Sequence, residues 1–349
     1  MPETTTARAT TTAARAALPT IADVAREAGV STATVSRCLN APNRVRSETR
    51  EAVEKAVAKL GYTPNFGARA LMAGRTGTVA AIIPTMENAI FARGLQAFQE
   101  ALNAAGRTLL VATSQYREDL EAQQVRTLVS RGVDGILLIG YSRAPELYDL
   151  LDRRGIATLT AWAHDPSRSR PAVGFDNVDA MASMTREVIA RGHERIAMIS
   201  GHAVSNDRAA GRIEGVRRAL REAGRADGLR VIETDYAIEA GEAAAGRLLE
   251  ASERPTAIVC GNDVLAFGVL REARRRGLSV PGDISVTGFD DIELARLAEP
   301  ALATVHVPHA RMGREAARIL LAAIDGGGGT SGMALETHVV LRASLGTAP

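Results

Sequence analysis

The stretch that decides the fold is Thr20–Asn40, TIADVAREAGVSTATVSRCLN. Four apolar residues in its first half recur at i, i+3, i+4 and i+7, as one buried face of a helix requires. They are Ile21, Val24, Ala25 and Ala28. This spacing predicts a short first helix that packs against its neighbours through one face.

A turn and a second helix follow in the same stretch. Gly29 can take a positive φ and end the first helix, and the Ser31 hydroxyl can cap the second. Val35 and Leu39 are predicted to face inward. The outward side chains are small or polar: Thr32, Ala33, Ser36, Arg37 and Asn40. This pattern is typical of a helix-turn-helix that reads DNA, although a helical hairpin in an ordinary core has the same periodicity.

Length and composition indicate a globular protein of two or three domains. The chain has 349 residues, of which 46% are hydrophobic and 23% charged, and no apolar run approaches the roughly 20 residues needed to span a membrane. Its two cysteines, Cys38 and Cys260, lie far apart, which argues against a disulfide scaffold and excludes a four-cysteine zinc site. We therefore expect a cytoplasmic protein without a metal or cofactor.

Positive charge is concentrated near the amino terminus. Residues 18–75 carry nine Lys or Arg and five Asp or Glu, a balance of +4 in a chain whose net charge is +2. Phosphate binding requires such a concentration. Residues 1–17 are rich in Thr, Ala and Arg and are expected to be a disordered tail.

A third helix is predicted over Ser47–Leu60, with Ser47 as its N-cap and Gly61 as its end. Asn65–Ala73 can form a helix of two turns, which Gly67 weakens. An isolated helix of this length is marginal in water, so this segment is expected to be helical only against a partner or DNA.

From Thr78 onward, short apolar strands alternate with helices, which predicts two α/β lobes with parallel sheets. Ligands in such folds bind at the carboxyl ends of the strands. The predicted strands are Val79–Ile83, Thr108–Ala112, Gly135–Ile139, Ala157–Ala161, Ile196–Ser200, Arg230–Ile232, Ala257–Cys260 and Ile284–Gly288, and the alternation restarts after Val173–Asn177. The predicted helices are Phe91–Ala104, Leu120–Ser130, Met181–Arg191, Ala209–Ala223, Ala240–Ala251 and Val264–Arg276.

Two other functional classes require features that this sequence lacks. A secreted solute receptor would need a signal segment and no DNA-binding unit, which is the reverse of this sequence. An enzyme could use the histidines His193, His202, His306 and His309 for acid–base chemistry, but none lies in a motif with a nucleophile or metal-ligand spacing. The glycines of Gly326–Gly332 lack the strand and helix that a dinucleotide site requires, so this run is predicted to be a surface loop.

Long motifs in a fixed order identify a resemblance to the lactose-repressor (LacI) family of transcriptional regulators over about residues 18–345. These motifs include TIADVAREAGVSTATVSRCLN, GVDGILL, RGHERIA, PTAIVCGNDVLAFGVL and PALATVHVP. The resemblance implies a small all-α helix-turn-helix headpiece plus an α/β periplasmic-binding-protein-like core of two doubly wound parallel-sheet lobes. The implied domains are 1–17 tail, 18–64 headpiece, 65–77 hinge helix and linker, and 78–345 core, with lobe one about 78–173 plus 307–334 and lobe two about 174–306 plus 335–345.

The resemblance also assigns roles in the headpiece. Thr32, Ala33 and Arg37 match base-reading positions in the major groove. Leu71 matches a leucine that family members insert into the minor groove, where an apolar wedge kinks DNA; Gly67 departs from the commonest hinge residues, as does Met72. The positions that match contacts to the DNA backbone are Thr20, Ser31, Thr34, Asn40, Arg44 and Tyr62.

An effector site is implied in the cleft between the lobes. The matching or neighbouring positions are Asn88, Phe91, Tyr141, Trp162, Arg208, Arg212, Asn262 and Asp290. The Trp162 side chain is suited to stacking on a ring of the effector. Alternatively, Trp162 packs within a lobe. If Arg208 and Arg212 both point inward, their two guanidiniums favour an acidic effector, which would resemble the gluconate-type members of the family. Alternatively, the two arginines form a solvated helix face with Glu214. Val307 replaces a polar group of some sugar-binding members.

The function implied by the resemblance is effector-controlled repression of carbohydrate or sugar-acid genes. The implied partners are double-stranded operator DNA and a small effector, which is a sugar, sugar acid or sugar phosphate. The protein is expected to bind a near-palindromic operator as a homodimer, or as a tetramer, without a membrane, and to be no enzyme.

Overall fold

The structure, a computed structural model, describes residues 18–63, 75–87, 89–225, 228–327 and 331–349. Its contacts divide the chain into one unit up to Thr76 and a second unit from Gly77. Among the described helices, none is both long enough and apolar enough to cross a bilayer.

The first unit is a three-helix headpiece. Thr20 and Asp23 cap its first helix reciprocally: the Asp23 amide donates to Thr20 Oγ1 over 3.3 Å and the Thr20 amide donates to Asp23 Oδ2 over 2.9 Å. The Ser31 hydroxyl accepts from the Thr34 amide over 3.2 Å at the start of the second helix, as predicted. The helices are α1 Ile21–Glu27, α2 Thr32–Asn40 and α3 Ser47–Leu60, with a 3-10 turn at Pro42–Arg44.

A small apolar core joins the three helices. Val24, Val35 and Val53 are fully buried in it, one from each helix. The prediction that Ser47 caps α3 is wrong. Arg46 takes the extended N-cap conformation and makes no side-chain capping bond, so Ser47 is already the first helical residue and its hydroxyl is one position too late to cap the turn.

The second unit contains a six-stranded sheet of parallel strands in the order β2–β1–β3–β4–β5–β11. Every residue of β1 and β3 is buried, as expected of central strands covered on both faces. Edge strand β2 is partly exposed. The strands are β1 Thr78–Ile83, β2 Thr108–Thr113, β3 Gly135–Ile139, β4 Ala157–Ala161, β5 Ala172–Gly174 and β11 Met333–Ala334.

Helices cover both faces of this sheet and complete lobe one. The helix α11 packs along α4 and against β3, β4 and β5. The helices are α4 Ala89–Ala104, α5 Glu118–Ser130, α6 Pro145–Arg153 and α11 His309–Ile324.

Lobe two is built on a four-stranded parallel sheet in the order β7–β6–β8–β9. Helix α7 packs on α8, and α9 packs on α10. The strands are β6 Ile196–Gly201, β7 Arg230–Thr234, β8 Ala257–Cys260 and β9 Ser285–Thr287. The helices are α7 Asn177–Ala190, α8 Asp207–Glu222, α9 Ile238–Leu249 and α10 Asp263–Arg275, with a 3-10 turn at Glu293–Arg296.

The chain passes between the lobes three times. It crosses after β5, again between β10 Thr304–His306 and α11, and finally between β11 and β12 His338–Val340. The strands β10 and β12 pair antiparallel beside lobe two. Neither lobe is therefore a continuous piece of chain, and the carboxyl ends of both parallel sheets face the cleft between the lobes. The predicted fold class is confirmed.

Candidate functional site

The exposed face of α2 carries the side chains expected to read DNA. Thr32, Ala33 and Arg37 are all exposed, whereas Val35 and Cys38 are buried on the opposite face. The small side chains at the start of α2 let its backbone approach another molecule closely, and Arg37 extends beyond them with donors that match a guanine edge. The face can therefore enter a DNA groove without unfolding the headpiece core.

The side chains expected to contact the DNA backbone surround this face. Arg44 is exposed beyond the end of α2, while Tyr62 packs partly against the headpiece core. The Ser31 hydroxyl also contacts the Thr34 hydroxyl over 2.9 Å at the N-terminus of α2, where backbone amides favour an anion. The side chain of Asn40 and the whole of Leu71 lie outside the described residues.

In the second unit, four aromatic rings and two arginines converge between the lobes. We call this cluster the inner pocket; its cavity volume is only about 10 Å³, which is room for about one water molecule. It is lined by Ile90, Phe91, Tyr116, Trp162, Asn206, Arg208, Arg212 and Tyr236. The structure thus brings together Phe91, Trp162, Arg208 and Arg212 of the predicted effector residues.

Backbone strain is concentrated around this cleft. Among the described residues, the non-glycine positions with positive φ all follow the carboxyl end of a strand: Gln115, Tyr116, Trp162, Ser205, Asp290 and Asp291. Such conformations cost about 1–3 kcal/mol each. They turn Tyr116 and Trp162 toward the pocket, and strain of this kind gathers at binding sites.

Trp162 connects lobe one to lobe two through a histidine. The Trp162 indole N–H donates to His309 Nδ1 over 3.3 Å, and His309 Nε2 lies 3.3 Å from the Asp290 carbonyl oxygen. Phe91 packs edge-on against the Trp162 ring at 5.3 Å between centroids. Burial lowers the pKa of His309 to about 3, so this residue is neutral and its Nε2 carries the proton donated to the carbonyl. Trp162 therefore both lines the pocket and packs within the core.

Arg208 and Arg212 are buried, which excludes the alternative of a solvated face with Glu214. Arg208 Nη1 donates to the Ile139 carbonyl over 3.1 Å and to Asp207 Oδ1 over 2.8 Å. Ile139 ends β3 in lobe one, so this bond spans the two lobes. The charge of Arg208 thus has a carboxylate partner.

Arg212 is held from three sides. Its Nε donates to Asn177 Oδ1 over 3.0 Å, and its Nη1 donates to the Gly261 carbonyl over 2.6 Å. Its guanidinium stacks over the Phe289 ring at 3.8 Å, and Nη2 lies 3.6 Å from Asp290 Oδ1. The side chain is thus fixed before any ligand arrives, as a binding site requires.

Asn262 and Asp290 lie behind Arg212 rather than on the wall of the inner pocket. Asn262 Oδ1 caps α10 by accepting from the Leu265 amide over 2.9 Å. Within the described protein, Asn262 Nδ2 and both Asp290 carboxylate oxygens are buried without a hydrogen-bond partner. Burial raises the pKa of Asp290 to about 7, against the opposing effect of Arg212. Burial and the charge of Asp290 raise the pKa of Asp263 to about 8.

A third predicted effector residue, Tyr141, also lies off the wall of the inner pocket. Tyr141 lies in the neighbouring loop, where its amide donates to Asp207 Oδ2 over 2.9 Å and its hydroxyl accepts from the Asp165 amide over 3.2 Å. Asn88 lies outside the described residues. Tyr141 therefore bonds to Asp207, the partner of Arg208, and does not line the cavity.

Four pocket residues were not predicted: Ile90, Tyr116, Asn206 and Tyr236. Tyr116 follows β2 and Tyr236 follows β7, so the rule that ligands bind at strand carboxyl ends could have found both. Their rings lie 5.6 Å apart across the cleft. Burial raises the pKa of each phenol above its usual value, so both stay neutral donors.

The four histidines do not form an acid–base centre. His193 is buried between the Thr256 hydroxyl and the Gly346 carbonyl, and His202 is exposed near Asp235. His306 ends β10 against Asp291 and His309 begins α11, so these two histidines lie on either side of the second passage between the lobes. Among the described residues, no cluster of His, Cys, Asp or Glu could hold a metal ion.

Two family models match the chain. Residues 20–65 match the model described as bacterial regulatory proteins, lacI family. Residues 185–345 match a periplasmic binding protein-like domain. The first match covers the headpiece helices and the second covers most of lobe two.

Curated relatives resemble almost the whole chain. The transcriptional repressor PurR of Vibrio atlanticus is 37% identical over 308 residues, which is 87% of this chain and 91% of PurR. Catabolite control protein A of Priestia megaterium is 33% identical, over 86% of this chain and 91% of that protein. These relatives are regulators and not enzymes, so the prediction that the chain is no enzyme is confirmed.

Solved structures share the same architecture. A LacI-family regulator from Silicibacter pomeroyi matches with a TM-score of 0.86 and 27% identity, over 94% of this chain and 99% of that one. The lac repressor dimer bound to operator and an anti-inducer matches with a TM-score of 0.81 and 25% identity, over 94% and 99%. The regulator CelR in complex with cellobiose matches with a TM-score of 0.68 and 32% identity, over 93% and 99%.

Proposed function

This chain belongs to the LacI family of bacterial regulatory proteins, and we propose that it is a repressor that binds a near-palindromic operator as a homodimer under the control of a small effector. The regulated genes belong to carbohydrate or sugar-acid metabolism, and the protein acts in the bacterial cytoplasm. The proposed domain limits are 18–64 for the headpiece, 65–77 for the hinge and 78–345 for the core.

The observation that carries this proposal is the exposed face of α2. Thr32, Ala33 and Arg37 extend from a capped helix whose other face is buried. In the proposed complex, Arg37 donates two hydrogen bonds to a guanine. Contacts to phosphates fix the register of the helix on the duplex; the residues assigned to them are Thr20, Ser31, Thr34, Asn40, Arg44 and Tyr62.

The proposed effector site is the cleft that contains the inner pocket. An effector controls DNA binding only if its affinity differs between two arrangements of the lobes. Arg208 and the Trp162–His309 pair bond across the lobes, so a ligand that contacts them changes the energy of closure. The contacts proposed from the inner pocket are Phe91, Trp162, Arg208 and Arg212. Asn88, Tyr141, Asn262 and Asp290 remain contacts predicted from the sequence alone.

The proposal is tested by selecting operator sequences from a random double-stranded DNA library with the full-length protein. The expected result is an inverted repeat that is bound with an affinity at least a thousandfold above that of unrelated DNA, since this is the usual lower limit for specific binding. The selected DNA is then measured by gel shift at several salt concentrations. Binding without any sequence preference would contradict the proposal.

A substitution tests the assignment of Leu71 to the hinge, which rests on the sequence alone. Leu71→Ala should weaken binding to the selected operator far more than binding to unrelated DNA, because an apolar wedge is useful only where a base step is opened. Met72→Ala, one position along, is the matched control. Equal losses on both DNAs for Leu71→Ala would remove the wedge from the proposal.

A further inference from the structure

A second, much larger space adjoins the inner pocket. We call it the outer cleft; its volume is about 1030 Å³, which is at the upper end of the range of about 300–1,000 Å³ for pockets of drug-sized ligands. One wall is formed by the carboxyl end of β2, with Val111 and Thr113, and the opposite wall by Thr234 at the end of β7. The room for a ligand in this cleft therefore lies mostly outside the inner pocket.

The inner pocket and the outer cleft share one boundary. Tyr116, Asn206 and Tyr236 line both spaces. The two tyrosine rings are tilted by 40° to each other, and they present apolar faces beside phenol and amide groups. Such a boundary can stack on a flat ring while it bonds to hydroxyls at the ring edge, so one ring of a ligand in the outer cleft can lie against it.

Charge in the outer cleft disfavours an anion. Its described lining includes the carboxylates of Glu87 and Asp235 and no lysine or arginine. The polar groups on its walls are otherwise hydroxyls and amides, such as those of Thr113 and Gln124, together with His202. A negatively charged ligand would meet repulsion here, whereas neutral hydroxyls can bond to every one of these groups.

The arginines of the inner pocket do not make the cleft favourable for an anion. Arg208 is bonded to Asp207, and Arg212 lies 3.6 Å from Asp290. A ligand carboxylate or phosphate beside Arg212 would approach the buried Asp290 side chain, which lies 3.6 Å from the same guanidinium. The expectation of an acidic effector considered only the positive charges of the two guanidiniums. The sequence does not reveal the carboxylates that lie beside them.

We propose that the effector is an uncharged, hydroxyl-bearing molecule of at least two rings that occupies the outer cleft, with one ring against the Tyr116–Tyr236 pair and another between the walls at Thr113 and Thr234. This proposal rests on the proposed function, because it names the ligand class of the same cleft. Neutral disaccharides and nucleosides both have this chemistry, and the experiment below distinguishes them.

The test is calorimetric titration of the full-length protein without DNA. The neutral two-ring probes are cellobiose, maltose, adenosine and cytidine; the single-ring probe is glucose; the anionic probes are gluconate and glucose 6-phosphate. At least one neutral two-ring probe should bind ten times more tightly than glucose and both anions. Tighter binding of an anion, equal binding of glucose, or no binding of any neutral two-ring probe would overturn the proposal.

A matched pair of substitutions tests the position of the second ring. Thr113 and Thr108 stand at opposite ends of β2, and only Thr113 lines the outer cleft. Thr113→Trp should weaken binding of the two-ring ligand at least tenfold by filling the cleft, whereas Thr108→Trp should leave it within twofold. Equal affinities for both variants, with unfolding curves matching that of the unsubstituted protein, would show that the outer cleft is not used.

A double substitution tests the charge argument. Glu87→Gln combined with Asp235→Asn removes both carboxylates from the outer cleft and should strengthen gluconate binding at least threefold while the neutral ligand changes by less than twofold. Unchanged gluconate binding would contradict the electrostatic argument. Because all of these titrations omit DNA, they fail or succeed independently of the operator selection, so the two proposals can be judged separately.

Discussion

Arg37 is the longest exposed side chain on α2, and its neighbours on that face are Thr32 and Ala33. Arg37→Ala should reduce discrimination at one base pair of each half-site by about 1–3 kcal/mol, because two hydrogen bonds to a base edge are lost. Arg26 is an exposed arginine on α1 paired with Asp23, so Arg26→Ala is the control. Competition gel shifts with single-base operator variants measure the effect, and identical profiles for the two variants would contradict it.

His309 gives a residue-scale prediction for pH. It is neutral in the folded protein with a pKa of about 3, lowered by burial, whereas in the unfolded chain its pKa is about 6.5. The unfolded state therefore binds more protons as pH falls below about 6.5, and folding stability is lost in that window. Between pH 7 and pH 5 the loss is about 2 kcal/mol.

The measurement compares denaturant unfolding of the unsubstituted protein and His309→Gln at both pH values. The variant should not lose this part of its folding stability between pH 7 and pH 5. Asp263 and Asp290 contribute equally to the pH dependence of both proteins, so their contributions cancel when the two stability profiles are subtracted. Parallel pH profiles would mean that His309 is protonated without cost in the folded state.

At the same scale, the sequence indicated which residue types face the cleft but not how they are bonded. Trp162 was expected near a ligand because it ends a strand. Its bond to His309 joins residues 147 positions apart and depends on where α11 docks, which local periodicity does not contain. The same limit explains why the carboxylate partners of Arg208 and Arg212 could not be predicted.

At the scale of elements, the central strands were the easiest to predict. The bounds of Gly135–Ile139, Ala157–Ala161 and Ala257–Cys260 agree with the structure, because buried parallel strands are short apolar runs between polar turns. Strand β11 has only two residues and no pattern of its own. It exists because the chain returns to lobe one beside β5, which is a tertiary effect.

The crossing of α4 and α11 gives an element-scale prediction. A Cβ at Gly313 would lie 2.0 Å from the Gly94 carbonyl oxygen, and one at Gly94 would lie 2.6 Å from the Trp162 ring. Gly313→Ala should therefore force the helices apart and destabilise the core by about 1–3 kcal/mol.

Gly246 in α9 is the matched control, because a Cβ there would first meet the flexible end of the Glu272 side chain at 3.3 Å. Gly246→Ala should leave stability unchanged or raise it by up to about 1 kcal/mol through helix propensity. Thermal unfolding measures both variants. A loss of stability in Gly246→Ala as large as in Gly313→Ala would show that the close crossing is not the cause.

At the scale of the whole molecule, effector binding to the core and operator binding to the headpiece must change each other's affinity by the same factor. If the effector changes the dissociation constant for operator by some factor, operator DNA must change the dissociation constant for effector by the same factor. Titrations of effector with and without saturating operator, and of operator with and without saturating effector, should therefore give the same ratio. Unequal ratios would show that the effector also acts through a change of oligomeric state.

The three passages of the chain between the lobes have a consequence for biosynthesis. Strand β5 ends at Gly174, but its neighbour β11 ends at Ala334, about 160 residues later. At about 5–20 residues per second, the ribosome needs roughly 8–32 s to make that interval. During this time the nascent lobe one exposes the open edge of β5 and the apolar face that α11 later covers, which is the kind of surface on which chains aggregate. Holdase chaperones therefore have their clearest target in this protein before Ala334 is translated.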